Sequence, residues 1–174
     1  TRDGVKIGSA QNDEGKIFLE HQAWPVIADI TSQERGEASM DAVREHARAG
    51  RPIAAECAGL LYLARDLDGH RMAQVVDADA VFTPKLTLGY RDAVAVTDSV
   101  LYRAGERVTG HEFHRSVVEL DAGAPAWAWR DHHGAPGVHG VATSNVHASY
   151  LHVHPAAVPA SIARFVRACE SKET

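Results

Sequence analysis

Apolar positions along this chain recur at more than one spacing, and each spacing predicts a different element. Across residues 40–49 Met40, Val43 and Ala47 fall on one helical face, with Ser39 placed to cap the start and Gly50 then Pro52 to end it. A second helical stripe, Ile162, Phe165, Val166 and Cys169, predicts a last helix over 159–169 that docks on a sheet. Residues 107–120 alternate in the manner of a strand, and 86–97, 127–130 and 138–154 are also rich in strand formers. Short apolar runs at 4–10, 26–30 and 52–55 predict further strands, the polar clusters at 12–15 and 31–36 predict loops, and 66–69 predicts a turn. Helices and strands alternate early and strands dominate later. The expected fold is therefore α/β, an open mostly parallel sheet flanked by helices with a strand-rich second half, and 174 residues suit a single domain.

One junction in this pattern carries chemistry. Ala54-Ala55-Glu56-Cys57-Ala58-Gly59-Leu60-Leu61-Tyr62-Leu63 reads as a buried strand, a turn holding one cysteine, and the opening of an apolar helix. Small residues beside Cys57 let the backbone turn sharply, and the unpaired N–H groups of the helix start point at the sulfur, which favours thiolate. In such an elbow the N–H of the next residue, Ala58, forms half of an oxyanion hole. The competing reading is a buried structural cysteine.

Composition trims the list of roles. The net charge of −5 is spread along the chain with no basic patch, which argues against nucleic acid, and no apolar stretch approaches the roughly 18 residues of a membrane span. A cytoplasmic protein is expected. Two cysteines, Cys57 and Cys169, do not make a disulfide framework, so Cys57 is free to react. The start at Thr1 suggests a trimmed piece of something longer. Eight of the eleven histidines lie between His111 and His154.

A cysteine nucleophile needs a base, and the best candidate is His152 in the segment 147–155. Strand alternation puts His154 on the same side, where it would orient His152. The same pair, with His111 and His114 or with His132 and His133, resembles a zinc set, but no glutamate or cysteine stands at familiar ligand spacing, and no metal is expected. In Gly110-His111-Glu112-Phe113-His114, preceded by Leu88-Gly89-Tyr90-Arg91, Glu112 and His114 share a strand face while Phe113 enters the core. A carboxylate beside an imidazole suits a substrate ammonium; a solvated strand face is the plainer alternative.

Four motifs in order, residues 55–63, 88–91, 110–116 and 145–155, closely resemble the glutaminase domain of cobyrinic or hydrogenobyrinic acid a,c-diamide synthases. The resemblance implies a class I, triad-type glutamine amidotransferase. In that family cysteine attacks the side-chain amide of glutamine, and the released ammonia is used by an ATP-binding synthetase domain to amidate the a and c carboxylates of a corrin precursor in cobalamin biosynthesis. Cys57 matches the nucleophile and His152 the base. His154 occupies the slot where many relatives carry a glutamate, and Glu112, His114 and Tyr150 are the expected substrate-binding residues. The partners implied are glutamine and the synthetase domain or subunit, which would bind ATP and Mg; no cofactor is expected in this domain.

Two features depart from the family. Its glycine-rich Gly-Gly-Gly-(Phe/Tyr)-Pro-Glu oxyanion loop is not found, since only Gly15 and Gly36 stand between Gly8 and Ser39. No Gly-x-x-x-x-Gly-Lys-(Ser/Thr) phosphate loop occurs either, so the ATP-binding half is absent from this sequence. The other readings are a related glutaminase serving cobyric acid or cell-wall precursor amidation, and a degenerate domain that only docks on a synthetase.

Overall fold

The computed structural model describes residues 30–171 apart from 122 and 132. The strand expected at 4–10, most of that at 26–30, and most of the stretch between Gly8 and Ser39 that lacks the glycine-rich loop lie outside the described residues.

Helix α1, Gln33–Arg48, buries Gly36, Met40 and Val43. It begins seven residues earlier than the capping signal suggested: Ser32 holds the N-cap position and Ser39 lies inside the helix. The run from Gln33 is polar but free of helix breakers, so the apolar face alone under-read its length. Gly50, with φ of 70°, closes it as expected, Gly50 N–H bonding Ala47 O and Arg51 N–H bonding His46 O.

Strand β1, Ile53–Glu56, leads through Cys57 into the six-residue helix α2, Ala58–Leu63, whose Leu60, Leu61, Tyr62 and Leu63 are buried. The predicted turn at 66–69 is the tip of a small hairpin, β2 Asp66–Leu67 and β3 His70–Arg71, with Asp68 and Gly69 both at positive φ. The long strands β4, Ala78–Ala95, and β5, Arg107–Leu120, pair antiparallel, with one irregularity between Phe82 and Thr87. Strands β6, Trp127–Arg130, and β7, Pro136–His139, extend that sheet. The span 138–154 is broken into the end of β7, β8 Val141–Ala142, β9 Val146–Ser149 and a non-strand tail. Gly140, at φ 67°, makes the break: a Cβ there would lie 2.6 Å from Ala148 O.

The α/β class stands. Among the described residues parallel pairing is confined to β1 with β9 and β2 with β4, while the strand-rich second half is antiparallel. Tight connections such as the hairpin tip at Asp68 and Gly69 force antiparallel pairing, because a parallel pair needs a longer crossover.

Two apolar clusters hold these layers. One joins α1, β1, α2, β8 and β9; the other joins the ends of β4 and β5 to β6, Leu151 and Val153. Helix α3, Pro159–Glu170, docks on the second through Phe165 and Ala168, with Ser161 buried. The expected stripe is rotated: Ile162, Val166 and Cys169 are exposed. The Arg164 guanidinium fixes this rotation by binding Glu106, at 2.7 Å, and the carbonyl of Leu101.

His147 of β9 is enclosed between Tyr102 and Trp127. Ser99 Oγ accepts from the N–H groups of Leu101 and Tyr102, so its own hydroxyl is left to donate to His147 Nδ1 at 3.1 Å. Burial lowers this histidine's pKa to about 4. The folded state therefore favours the neutral ring, and its contribution, on the order of 3 kcal/mol, is present above the unfolded value near 6.5 and is lost as pH falls toward about 4. Urea midpoints measured between pH 7 and pH 4 are expected to fall steadily across that window, and less steeply in His147→Asn; equal slopes in both proteins would exclude this origin.

Candidate active site

Cys57 sits at the carboxyl end of β1 with φ of 52° and ψ of −113°, the sharp, strained turn that the small residues around it allow. Its N–H donates to Ser149 O at 2.9 Å, continuing the parallel pairing in which Glu56 stands opposite Ser149. The end of β1 and the end of β9 thus lie side by side, and the chain leaving β9 carries Tyr150, Leu151 and His152 past the same edge. Here β5 receives it: His111 and His152 exchange both backbone hydrogen bonds, at 3.1 and 2.9 Å. A single glycine makes this crossing feasible. A Cβ on Gly110 would lie 2.5 Å from His152 O and 2.8 Å from Leu151 Cγ.

Cys57 Sγ lies 3.8 Å from Phe113 O, two residues along β5 from the point where His152 pairs. Cys57 and His152 therefore meet the same three-residue stretch of one strand. His152 Nδ1 is 3.1 Å from the carbonyl of His111, so the ring donates there and Nε2 is left as the basic nitrogen. The His111 and His152 rings stack, with centroids 4.7 Å apart.

His154 does not supply the expected orientation. Its Nδ1 accepts from Ala156 N–H at 3.2 Å, capping the 3-10 turn Pro155–Ala157. His154 itself is extended, with φ −66° and ψ 125°, but its ring turns to the cap, and the carbonyl of His111 takes the orienting position on His152 Nδ1 instead.

The expected preference for thiolate is also reversed. Burial pushes the Cys57 thiol up, the Ala58 N–H on the sulfur pulls it down, and the Glu56 charge pushes it up again, with a net rise. A single N–H at the start of a short helix does not offset the lost water and a neighbouring carboxylate. The resting state is a thiol, and it donates to Phe113 O.

Glu112 and His114 share a face, but the face assignment is inverted. Glu112 is buried and Phe113 is 58% exposed, because the inner face of β5 packs on the groove below while its outer face is open. The Glu112 carboxylate accepts from Arg91 Nε at 2.9 Å through Oε2, while its Oε1 lies 3.5 Å from His114 Nε2, beyond a hydrogen bond. Burial pushes this carboxyl up, yet His114 and Arg91 outweigh it and hold it below the usual range. Its Oε2 fixes Arg91. The His114 and Tyr150 rings lie face to face at 3.6 Å, His114 Nδ1 is bonded to Ser116 O, and Tyr150 OH meets Ser116 Oγ at 2.8 Å. Burial drives the Tyr150 hydroxyl to about 12, with Cys57 among the charges that add to the rise. This cluster lines a groove of about 490 Å³ bounded by Lys85, Arg91, Trp129, His139 and Tyr150. Sequence reasoning did not assign Arg91 or Ser116 a role, although Arg91 closes one of the four recognised motifs and Ser116 another.

The model of the CobB/CobQ-like glutamine amidotransferase domain matches residues 25–159. The chain belongs to this family. It is 57% identical over 125 residues to hydrogenobyrinate a,c-diamide synthase of Mycobacterium tuberculosis, covering 71% of this chain and 27% of that protein. The homologous synthase of Streptomyces coelicolor is 58% identical over 132 residues, covering 74% and 26%. The cobyrinate a,c-diamide synthase of Gloeobacter violaceus is 39% identical over 125 residues, covering 69% and 27%. The chain thus aligns with about a quarter of the length of these relatives. Within the CobB/CobQ-like frame the cysteine elbow, the β9 exit and β5 all fall inside the matched residues. Among the described residues no cluster of three or more His, Cys, Asp or Glu side chains is arranged to hold a metal ion, and no helix is long and apolar enough to cross a membrane.

Proposed function

We propose that this chain is the glutamine-hydrolysing part of an a,c-diamide synthase acting on hydrogenobyrinate or cobyrinate, with Cys57 as nucleophile and His152 as general base and acid. The observation that carries the reading is the convergence of a strained cysteine elbow and an oriented imidazole on residues 111–113 of β5. The identity of 57–58% with hydrogenobyrinate synthases favours that acceptor branch over cobyric acid or cell-wall amidation.

The resting thiol passes its proton to His152 Nε2, and the thiolate adds to the amide carbon of glutamine. The oxyanion that forms is met by the Ala58 N–H beside the sulfur. His152 returns the proton to the departing nitrogen, so ammonia leaves and a thioester remains. Water then adds to the thioester, His152 takes its proton, and glutamate is released with the thiol restored. Arg91 has one edge tied to Glu112 and to Tyr90 O, and its remaining N–H groups are available for the α-carboxylate of glutamine, with Tyr150 and Lys85 along the same groove. ATP, magnesium and the corrin acceptor belong to the synthetase part.

The purified chain incubated with glutamine should release ammonia and glutamate in equal amounts, and diazo-oxo-norleucine should label Cys57. No turnover and no labelling would favour a module that only docks on a synthetase. Arg91→Lys keeps a cation for Glu112 but loses the planar fork, so KM for glutamine is expected to rise on the order of 10-fold while kcat stays within about 2-fold. Unchanged KM would remove Arg91 from glutamine binding.

A further inference from the structure

We infer that Glu56, the residue before the nucleophile, is a positioning residue that supplies the counter-charge for His152 when the imidazole carries the proton. The inference rests on the glutaminase reading above and adds a role for a side chain which that mechanism leaves idle.

Glu56 ends β1, and its Oε1 accepts the N–H of Val153 at 3.3 Å. The carboxylate is thereby tied to the residue that follows His152, just as the backbone of His152 is tied to His111. The titratable groups within reach of its charge are Cys57 on its own turn, His152, His111, and the phenol of Tyr102 from the neighbouring cluster. Although Glu56 as a residue is exposed, burial of its carboxyl end pushes its pKa up, and the Val153 N–H and the two histidines pull it back.

During turnover the proton that leaves Cys57 resides on His152, which is stacked on a second imidazole, and His154 is occupied as a cap. A stacked second imidazole brings no negative charge to a cation. Glu56 is a carboxylate anchored on the N–H next to His152, with both rings within reach of its charge, and that charge acts on thiol and imidazole in opposite senses. It holds back the thiolate at rest, and it favours the imidazolium once the sulfur is committed to the substrate.

Glu56→Gln separates charge from scaffold, because the amide oxygen still accepts from Val153 N–H. The variant is expected to lower kcat on the order of 10- to 100-fold with KM within about 3-fold, a part of the roughly 100- to 10,000-fold that general acid–base catalysis contributes in full. Alkylation of Cys57 by iodoacetamide, followed on its own peptide by mass spectrometry, should move in the other direction: its pH midpoint should fall, so that Cys57 reacts faster at neutral pH while turnover is slower. Glu56→Ala should add a loss of melting temperature that Glu56→Gln does not show. A Glu56→Gln protein with wild-type kcat, or one with an unmoved alkylation midpoint, overturns the proposal. Alkylation needs no glutamine turnover, so a chain without glutaminase activity would defeat the functional reading while still testing the Glu56 charge.

Discussion

Replacing Cys57 with serine is expected to lower glutamine hydrolysis by at least about 1,000-fold while changing stability by less than about 1 kcal/mol. The first half follows from the chemistry. His152 is held with Nδ1 on the carbonyl of His111, and an alkoxide is far harder to generate from serine with the same base than a thiolate from cysteine. The second half follows from the packing. Cys57 is only half-buried, its sulfur meets the Ala58 N–H and makes one long contact with Phe113 O, both of which a serine hydroxyl can replace, and the turn is held by its backbone bond to Ser149, which serine retains. Ammonia release and the urea midpoint, measured on the same preparation, separate the two. Residual turnover within about tenfold of the parent would mean that a different group attacks the amide.

The second large effect is expected at a residue that touches no substrate. Gly110→Ala places a methyl group 2.5 Å from the backbone oxygen of His152 and against the Leu151 side chain. A backbone oxygen that is part of a two-bond bridge cannot rotate away as a side-chain end can. Either the bridge between His111 and His152 opens or β5 shifts, and overpacking of this kind costs about 1–3 kcal/mol. For a chain of this size that is a melting temperature lower by roughly 2–12 °C. The catalytic consequence is the larger one. His152 takes its orientation from the same crossing, and a displacement near 1 Å in a reacting group costs on the order of 100-fold in rate, so kcat is expected to fall by that order. KM should rise as well, since Arg91 is paired directly with Gly110 across β4 and β5 and Tyr150 precedes the Leu151 that the methyl group strikes. Thermal melting and steady-state kinetics test this together; a Gly110→Ala protein with the parent's melting temperature and kcat would show that the crossing has room to spare. Loss of turnover with stability kept at Cys57, and loss of both at Gly110, is the signature of a nucleophile and of the joint that aligns its base.

Much of the site was legible in order along the chain. The strand, cysteine and apolar helix at 53–63 occur where the short apolar run, the small residues beside Cys57 and the apolar stretch after it put them, and β5 and β6 run over the residues their pattern marked. Where the reading went astray, a neighbour distant in sequence had decided the outcome. The stripe on α3 turned because Arg164 binds Glu106 and the Leu101 carbonyl. Phe113 faces outward because Glu112, paired with Arg91, takes the inner position. The thiol is pushed up because burial and the Glu56 charge exceed the pull of one N–H group. Local pattern records what a segment can form, and it carries no information on which charges will be brought beside it.

By itself the sequence determined the family, the cysteine elbow, and the α/β class, since these rest on residue types at fixed spacings that only certain backbones tolerate. The tertiary structure alone decided which group orients His152, what Glu112 holds, and why residue 110 is glycine. Each of those depends on two segments at least 20 residues apart meeting within hydrogen-bond range, and that meeting is set by how the sheets pack.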